Sequence, residues 1–277
     1  MDLAANDSFL ATGYATDETP ELMPISLMLG NKLIMRFTEL RKSGEIGWLR
    51  PDSMAHVSIE YYVKDGAIIP HRIHTLVLST QHAEEVSIEE VKKELMEKVV
   101  NHIIPPKLLD TRTIFDIQPL GTFVNGQPQG SEGETGGKRI VDAYGGWEWE
   151  CPVDKSFSGQ DWTRVNRTGS YGARWVAKSL VASGLCRRCH IQLSYQGGWV
   201  RPIISLDSHG SANGISDKDL AEIVRKNFDL RPGALANEFG MRRPIFRATA
   251  FGGHFGRPEF PWENPKKLKL SKQRIKM

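Results

Sequence analysis

The sequence predicts an α+β protein built from two-layer sandwich domains, each an antiparallel sheet covered by helices. Three observations predict it. A helix, a pair of strands and a capped helix follow one another twice along the chain. In each half the strands come as a pair joined by a glycine-containing turn, a connection that suits antiparallel neighbours. Hairpins, rather than single strands, stand between the helices, which places the helices on one side of the sheet.

Residues 20–43 carry Met23, Leu27, Leu33, Phe37 and Leu40 at mixed three- and four-residue steps. That spacing is one face of a long amphipathic helix, and Ser43-Gly44 ends it. Residues 56–63 are β-rich and partly alternating, Lys64-Asp65-Gly66 is a turn, and residues 72–81 alternate as a second strand. Ser87-Ile88-Glu89-Glu90 is a capping box, in which the Ser87 hydroxyl bonds the Glu90 amide and Glu90 reaches back. The helix it opens runs to about Ile104, where Pro105-Pro106 stops it. Residues 113–117 form a short strand. Residues 121–137, rich in Gly, Asn, Gln and Ser, are loop and mark the domain boundary.

The second half repeats the pattern. Residues 169–183 are helical, with small residues for close packing. Residues 190–195 and 201–206 are strands around Gly197-Gly198. Ser216-Asp217-Lys218-Asp219 caps a helix that runs to Asn227.

Composition narrows the function classes. The 277 residues fit one large domain or two of ordinary size. With 40% apolar residues, seven Trp and eleven Phe, the chain can bury real cores. A net charge of +3 is too small to imply a nucleic-acid partner, and much of it sits in the basic tail 266–277, which reads as a solvated end. No apolar run reaches the ~18 residues of a membrane span, and no secretory leader opens the sequence. The expectation is a cytoplasmic protein of the cytosol, with the nucleus left open, and neither nucleic acid nor membrane as partner. Three cysteines do not make a disulfide framework. Cys186-Arg187-Arg188-Cys189-His190 spells C-x-x-C-H, but without an export signal or a Met suited to an axial position it reads as strand packing rather than haem attachment. His71, His74, His82 and His190 lie on or beside strands without ligand spacing and read as packed or surface histidines.

Several motifs carry more. Thr12-Gly13-Tyr14-Ala15-Thr16-Asp17-Glu18, Trp48-Leu49-Arg50-Pro51-Asp52-Ser53 and Val141-Asp142-Ala143-Tyr144-Gly145-Gly146-Trp147 occur in that order. Phe228-Asp229-Leu230-Arg231-Pro232-Gly233, Gly253-His254-Phe255-Gly256-Arg257 and Phe260-Pro261-Trp262-Glu263 follow. In sequence, order and near-family spacing they resemble the S-adenosylmethionine synthetases, also called methionine adenosyltransferases. The resemblance covers nearly the whole chain. It implies three similar α+β domains related by pseudo-threefold symmetry, of which this chain holds the central domain at 1–122 and the C-terminal domain at 123–265. The N-terminal domain of the family is expected to be lacking, since the motif that follows it stands at the start of the sequence.

The resemblance also implies a dimer with active sites between subunits. The implied substrates are ATP and L-methionine, and Mg²⁺ and K⁺ assist. Methionine sulfur attacks the ribose C5′ of ATP and displaces triphosphate, which is then hydrolysed. Such chemistry needs a cage of cations around a charged leaving group and two reactants held in line. Carried over residue by residue, Asp7, Asp52, Phe123, Lys138 and Arg164 fall on ATP- and methionine-binding positions, with Lys138 the catalytic one. Met54 stands where the family has Lys, Ser131 where it has Asp, Gly137 where it has Arg, and Gln160 where it has a phosphate-binding Lys. Asn166 replaces the Asp that binds Mg²⁺, leaving no metal ligand intact. The glycine-rich phosphate loop of the family reads here Glu150-Cys151-Pro152-Val153-Asp154-Lys155-Ser156-Phe157-Ser158-Gly159, with most glycines gone. Two functions follow as expectations. One is S-adenosylmethionine synthesis with impaired catalysis. The other is a non-catalytic paralogue that forms a homodimer, or a heterodimer with an intact synthetase subunit, and modulates it.

Overall fold

The computed structural model of the chain describes residues 3–126, 139–147, 157 and 159–270. The fold is α+β, with two three-stranded sheets accompanied by helices. In chain order the first elements are β1 (Phe9–Thr16), α1 (Ile25–Ser43), β2 (Leu49–Lys64), β3 (Ala67–His82), α2 (Ile88–Leu95), α3 (Asn101–Ile103) and β4 (Ile114–Ile117). Then come α4 (Arg139–Asp142), α5 (Val165–Ala182), β5 (Arg188–Tyr195), β6 (Ile203–Asp207), α6 (Asp217–Asn227) and α7 (Pro232–Glu238). They form two compact units: Met1–Pro24, Val63–Ile68 and Gly136–Met277 in the first, Ile25–Tyr62 and Ile69–Thr135 in the second.

The first unit has the sheet β1-β5-β6, antiparallel throughout, with Gly13 opposite Ile191 and Gln192 opposite Ser205. Its central helix, α5, is buried along almost its whole length, as a helix enclosed by its own unit must be. Close approach to β1 depends on Gly13: a Cβ there would lie 2.2 Å from the Ala173 carbonyl carbon. No side chain fits that gap, so the backbones themselves touch.

The middle of α5 carries a charge in this interior. Arg174 is fully buried, and all five of its N–H donors have acceptors. Nε and Nη2 bond the two Glu263 carboxylate oxygens at 2.9 and 2.8 Å. Nη1 reaches the carbonyls of Tyr14 and Leu22, both at 2.8 Å, and Nη2 that of Glu21 at 2.9 Å. One turn on, Lys178 Nζ donates to Glu263 at 2.7 Å. Beside this cluster, Trp262 stacks on Tyr171 with ring centroids 3.7 Å apart and donates its indole N–H to the His254 carbonyl.

The second unit has the sheet β2-β3-β4. β2 and β3 are joined by Asp65-Gly66 alone, a link that only antiparallel strands can make. On the sheet lie α1, through Leu29, Leu33, Phe37 and Leu40, and α2, through Val91 and Leu95. Ser87 caps α2 as the sequence predicts, its hydroxyl accepting from the Glu90 amide at 3.2 Å. Arg72 on β3 is buried and bonds Asp110 through two N–H groups at 2.8 and 2.7 Å.

Four local expectations change. The first long helix starts at Ile25, not residue 20, because Thr19 closes a turn on Met23 through both its hydroxyl donor and acceptor, and Leu22 takes a positive φ of 56°. β4 pairs with β3 in parallel rather than antiparallel fashion, since a helical crossover separates the two in sequence. After Leu95 the helix widens into a π turn, Met96–Val100, before α3. β1 is an element that the periodicity left unassigned. Separately, β1 hydrogen-bonds to β5, which draws the first residues into the compact unit that holds the C-terminal half.

Burial would raise the Glu263 carboxyl, but Arg174 and Lys178 hold it below its ordinary value of 4.5. Glu263→Ala leaves two cations buried without a counter-charge and should cost about 3–5 kcal/mol in denaturant unfolding. A group lowered in the folded state stabilises above its unfolded value and ceases to as pH falls through the folded one. The gap between parent and variant should therefore narrow below about pH 4.5. Gly13→Ala should destabilise by at least about 1–3 kcal/mol, because backbone rather than a flexible side chain must yield. An unchanged denaturation midpoint in either variant would contradict this packing.

Candidate functional site

α5 opens at Arg164, an extended N-cap residue whose own side chain makes no capping bond. The cap comes from the other end of the sequence: Asn6 Oδ1 accepts from the Val165 amide at 3.2 Å. Asp7, the next residue, accepts from the Ser8 amide at 2.8 Å, and Ser8 Oγ accepts from the Gly197 amide at 3.1 Å. Ahead of the helix, Asp161 accepts the Thr163 hydroxyl at 2.6 Å and amide at 2.7 Å. These two bonds hold the Asp161 carboxyl below its usual range. The Gln160 carbonyl is pinned at 2.6 Å by Arg167, a buried cation that also bonds Tyr171 Oη and the Phe157 carbonyl. Asn166 is the one residue in the first three turns of α5 that is not buried.

Gln160, Arg164, Asn166 and the Asn6-Asp7 pair thus meet at the mouth of α5. The helix dipole makes such a mouth favourable to anions. Arg164, exposed, adds one full positive charge. Asp161 opposes it, and Gln160 and Asn166 add none.

A second group forms in the second unit around the end of β3. The Thr80 hydroxyl lies 3.4 Å from the Asp52 carbonyl, which ties β2 to this end. Met54, two residues along β2, is 51% exposed. On the other side of β3, the His82 amide donates to the Phe123 carbonyl at 2.9 Å, and the Phe123 amide donates back to His82 Nε2 at 3.0 Å. An Nε2 that accepts carries no proton, so Nδ1 holds it and donates to the Ala83 carbonyl at 2.8 Å. Buried Gln118 copies a strand with its side chain, accepting from the Thr80 amide at 2.7 Å and donating to the Thr80 carbonyl at 3.0 Å. Gln81 Nε2 holds the Val124 carbonyl at 2.9 Å.

The expected site residues therefore fall into two groups: Asp7, Gln160, Arg164 and Asn166 in the first unit, Asp52, Met54 and Phe123 in the second. Ser131, Gly137 and Lys138 lie outside the described residues. Asn6, Arg167, Gln81 and Gln118, which the sequence reading passed over, do the positioning together with His82, read there only as a packed or surface histidine. Apart from Arg167, which bonds Tyr171, Gln160 and Phe157 near it in the chain, their partners are distant in sequence, so no local pattern marks them.

Comparison with protein families decides the kinship. The description S-adenosylmethionine synthetase, central domain, matches residues 2–123, and S-adenosylmethionine synthetase, C-terminal domain, matches residues 125–264. The chain belongs to the S-adenosylmethionine synthetase family. At the mouth of α5 stand a cation, Arg164, and a neutral amide, Asn166, a poor donor for a hard dication. Among the described residues no group of three or more His, Cys, Asp or Glu converges on a common point. Arg164, a cation, and Asn166, a neutral amide, do not by their own chemistry fit a Mg²⁺ ion.

His82→Ala removes the acceptor of the Phe123 amide. Exchange of that amide should accelerate about two- to tenfold, the worth of one net hydrogen bond. Amide exchange followed by NMR or mass spectrometry checks it, and unchanged protection would mean that the ring does not hold the segment.

Proposed function

We propose that this protein is a synthetase subunit with a depleted active centre, which acts in S-adenosylmethionine synthesis by pairing with another synthetase subunit. The observation that carries this reading is the mouth of α5, where neutral Gln160 and Asn166 flank the exposed cation Arg164. In the family reaction the sulfur of L-methionine attacks C5′ of ATP and triphosphate leaves. Charge develops on the leaving oxygens, so cations there act on the transition state more than on bound ATP. Arg164 and the α5 amides supply part of that field. Gln160 supplies a dipole in place of a charge. Each lost charged contact raises the barrier by about 2–4 kcal/mol, so two or three losses remove most of the rate enhancement. Met54 withdraws a further cation on β2, and Ser131 and Gly137 are read the same way from the resemblance.

Within this reading, residues 1–122 derive from the central domain, 123–265 from the C-terminal domain, and 266–277 are a basic tail. Phe123, fixed by His82, stacks on adenine, and Asp52 and Asp7 face the substrates. Mg²⁺ and K⁺ serve the intact partner subunit, and the compartment is the cytosol. A second reading, turnover by this chain itself, has one observation in its favour: Arg164 retains its charge at a helix N-terminus, a natural phosphate site.

A coupled phosphate-release assay with ATP, methionine, Mg²⁺ and K⁺ separates the two. The chain alone should release phosphate at the background rate, whereas robust Mg²⁺-dependent turnover would overturn the depleted reading. Sedimentation at micromolar concentration, alone and mixed with an intact synthetase subunit, tests the pairing. A self-associated or mixed species is expected, and one monomer-sized species in both samples would refute it.

A further inference from the structure

A pocket of about 460 Å³ opens in the first unit, lined by none of the residues assigned above to synthesis. Its volume lies in the range of small-molecule sites. Its walls come from the start of β6, the last turn of α6 and the segment joining α6 to α7.

The floor is apolar and rigid. Phe228 and Leu230 are buried, and Ile204 lies beside them. Phe228 meets Trp175 edge-on at 4.8 Å, and the Leu230 carbonyl accepts the buried Tyr195 hydroxyl at 2.8 Å. The rim carries three guanidinium groups, Arg201, Arg225 and Arg231. Two already have a carboxylate: Arg231 bonds Asp229 at 2.6 and 2.9 Å, and Arg225 bonds Glu222 at 2.6 Å. Arg201 makes no hydrogen bond or contact ion pair with a described residue, though it stands near enough to Asp229 to help Arg231 hold that carboxyl below its usual range. The pocket therefore has one uncompensated positive charge above an apolar floor.

We propose that this pocket binds a small organic monoanion, a carboxylate on a compact apolar body, with its head at Arg201 and its body on Phe228, Leu230 and Ile204. The single unpaired guanidinium matches a single negative charge and offers it the two-pronged donor geometry that suits a carboxylate. A cation is repelled by the rim. A neutral molecule of the same shape gains only the floor. Inorganic phosphate gains only the rim. The site is independent of the mouth of α5, so its failure would leave the proposal on synthesis untouched.

Benzoate, benzyl alcohol, benzylamine and inorganic phosphate serve as probes on the full chain, with binding followed by saturation-transfer NMR titration. Benzoate should bind at least about tenfold tighter than each of the other three, the factor expected from one charge-assisted bond plus the apolar floor. Arg201→Gln, at an exposed position with no bond to break, should lose about tenfold in benzoate affinity while Arg41→Gln on α1 changes nothing. Three results would each overturn the assignment: no benzoate binding, equal binding of benzyl alcohol or phosphate, or unchanged affinity in Arg201→Gln.

Discussion

One guanidinium organises the first unit. Arg174 sits in the middle of α5 and binds backbone carbonyls of β1 and of the turn after it, together with the carboxylate of Glu263. Those acceptors lie about 90 to 160 positions away in sequence. A buried arginine with one bond missing would be costly, so strand, turn and C-terminal segment must arrive together. Fixing the middle of α5 also fixes its mouth: Val165 lies nine residues before Arg174, about 14 Å along the axis at 1.5 Å per residue. The direction in which Arg164 and Asn166 project thus depends on the buried Arg174–Glu263 pair.

What the sequence made legible follows from the range of the forces involved. Ser87 and Ser216 cap their helices because a cap is decided within four residues, and both bonds form. The hairpin β2-β3 and the stripe Leu33, Phe37 and Leu40 on α1 are likewise local patterns. β1 was not legible, because its strand character depends on β5, and its Gly13 marks a helix contact rather than a turn. The parallel β4 was not legible either, since four residues carry no sign of direction. At the site, the resemblance identified which positions to inspect. It said nothing of Asn6 capping α5 from across the sequence, or of His82 and Gln118 setting the backbone around Phe123. Such side chains look ordinary until their distant partners are known.

The motifs that carry the family resemblance turn out to be largely packing. Tyr14, Tyr144, Phe255, Phe260 and Trp262 are all buried, Glu263 is the partner of Arg174, and Gly13 admits the backbone of α5. Retention of these buried residues reports that the scaffold is kept. In the function proposed above, the chemistry falls elsewhere, on exposed or half-buried positions such as Met54, Arg164 and Asn166, and in the carbonyl-pinned turn at Gln160. Substitutions at exposed positions away from caps and buried networks change stability by only about half a kilocalorie per mole. On that proposal, a change such as Lys to Met on the exposed position 54 leaves the fold nearly untouched while it removes a charge from the reaction. Fold and reaction would then be specified by separate residue sets, the first held intact after the second has been rewritten.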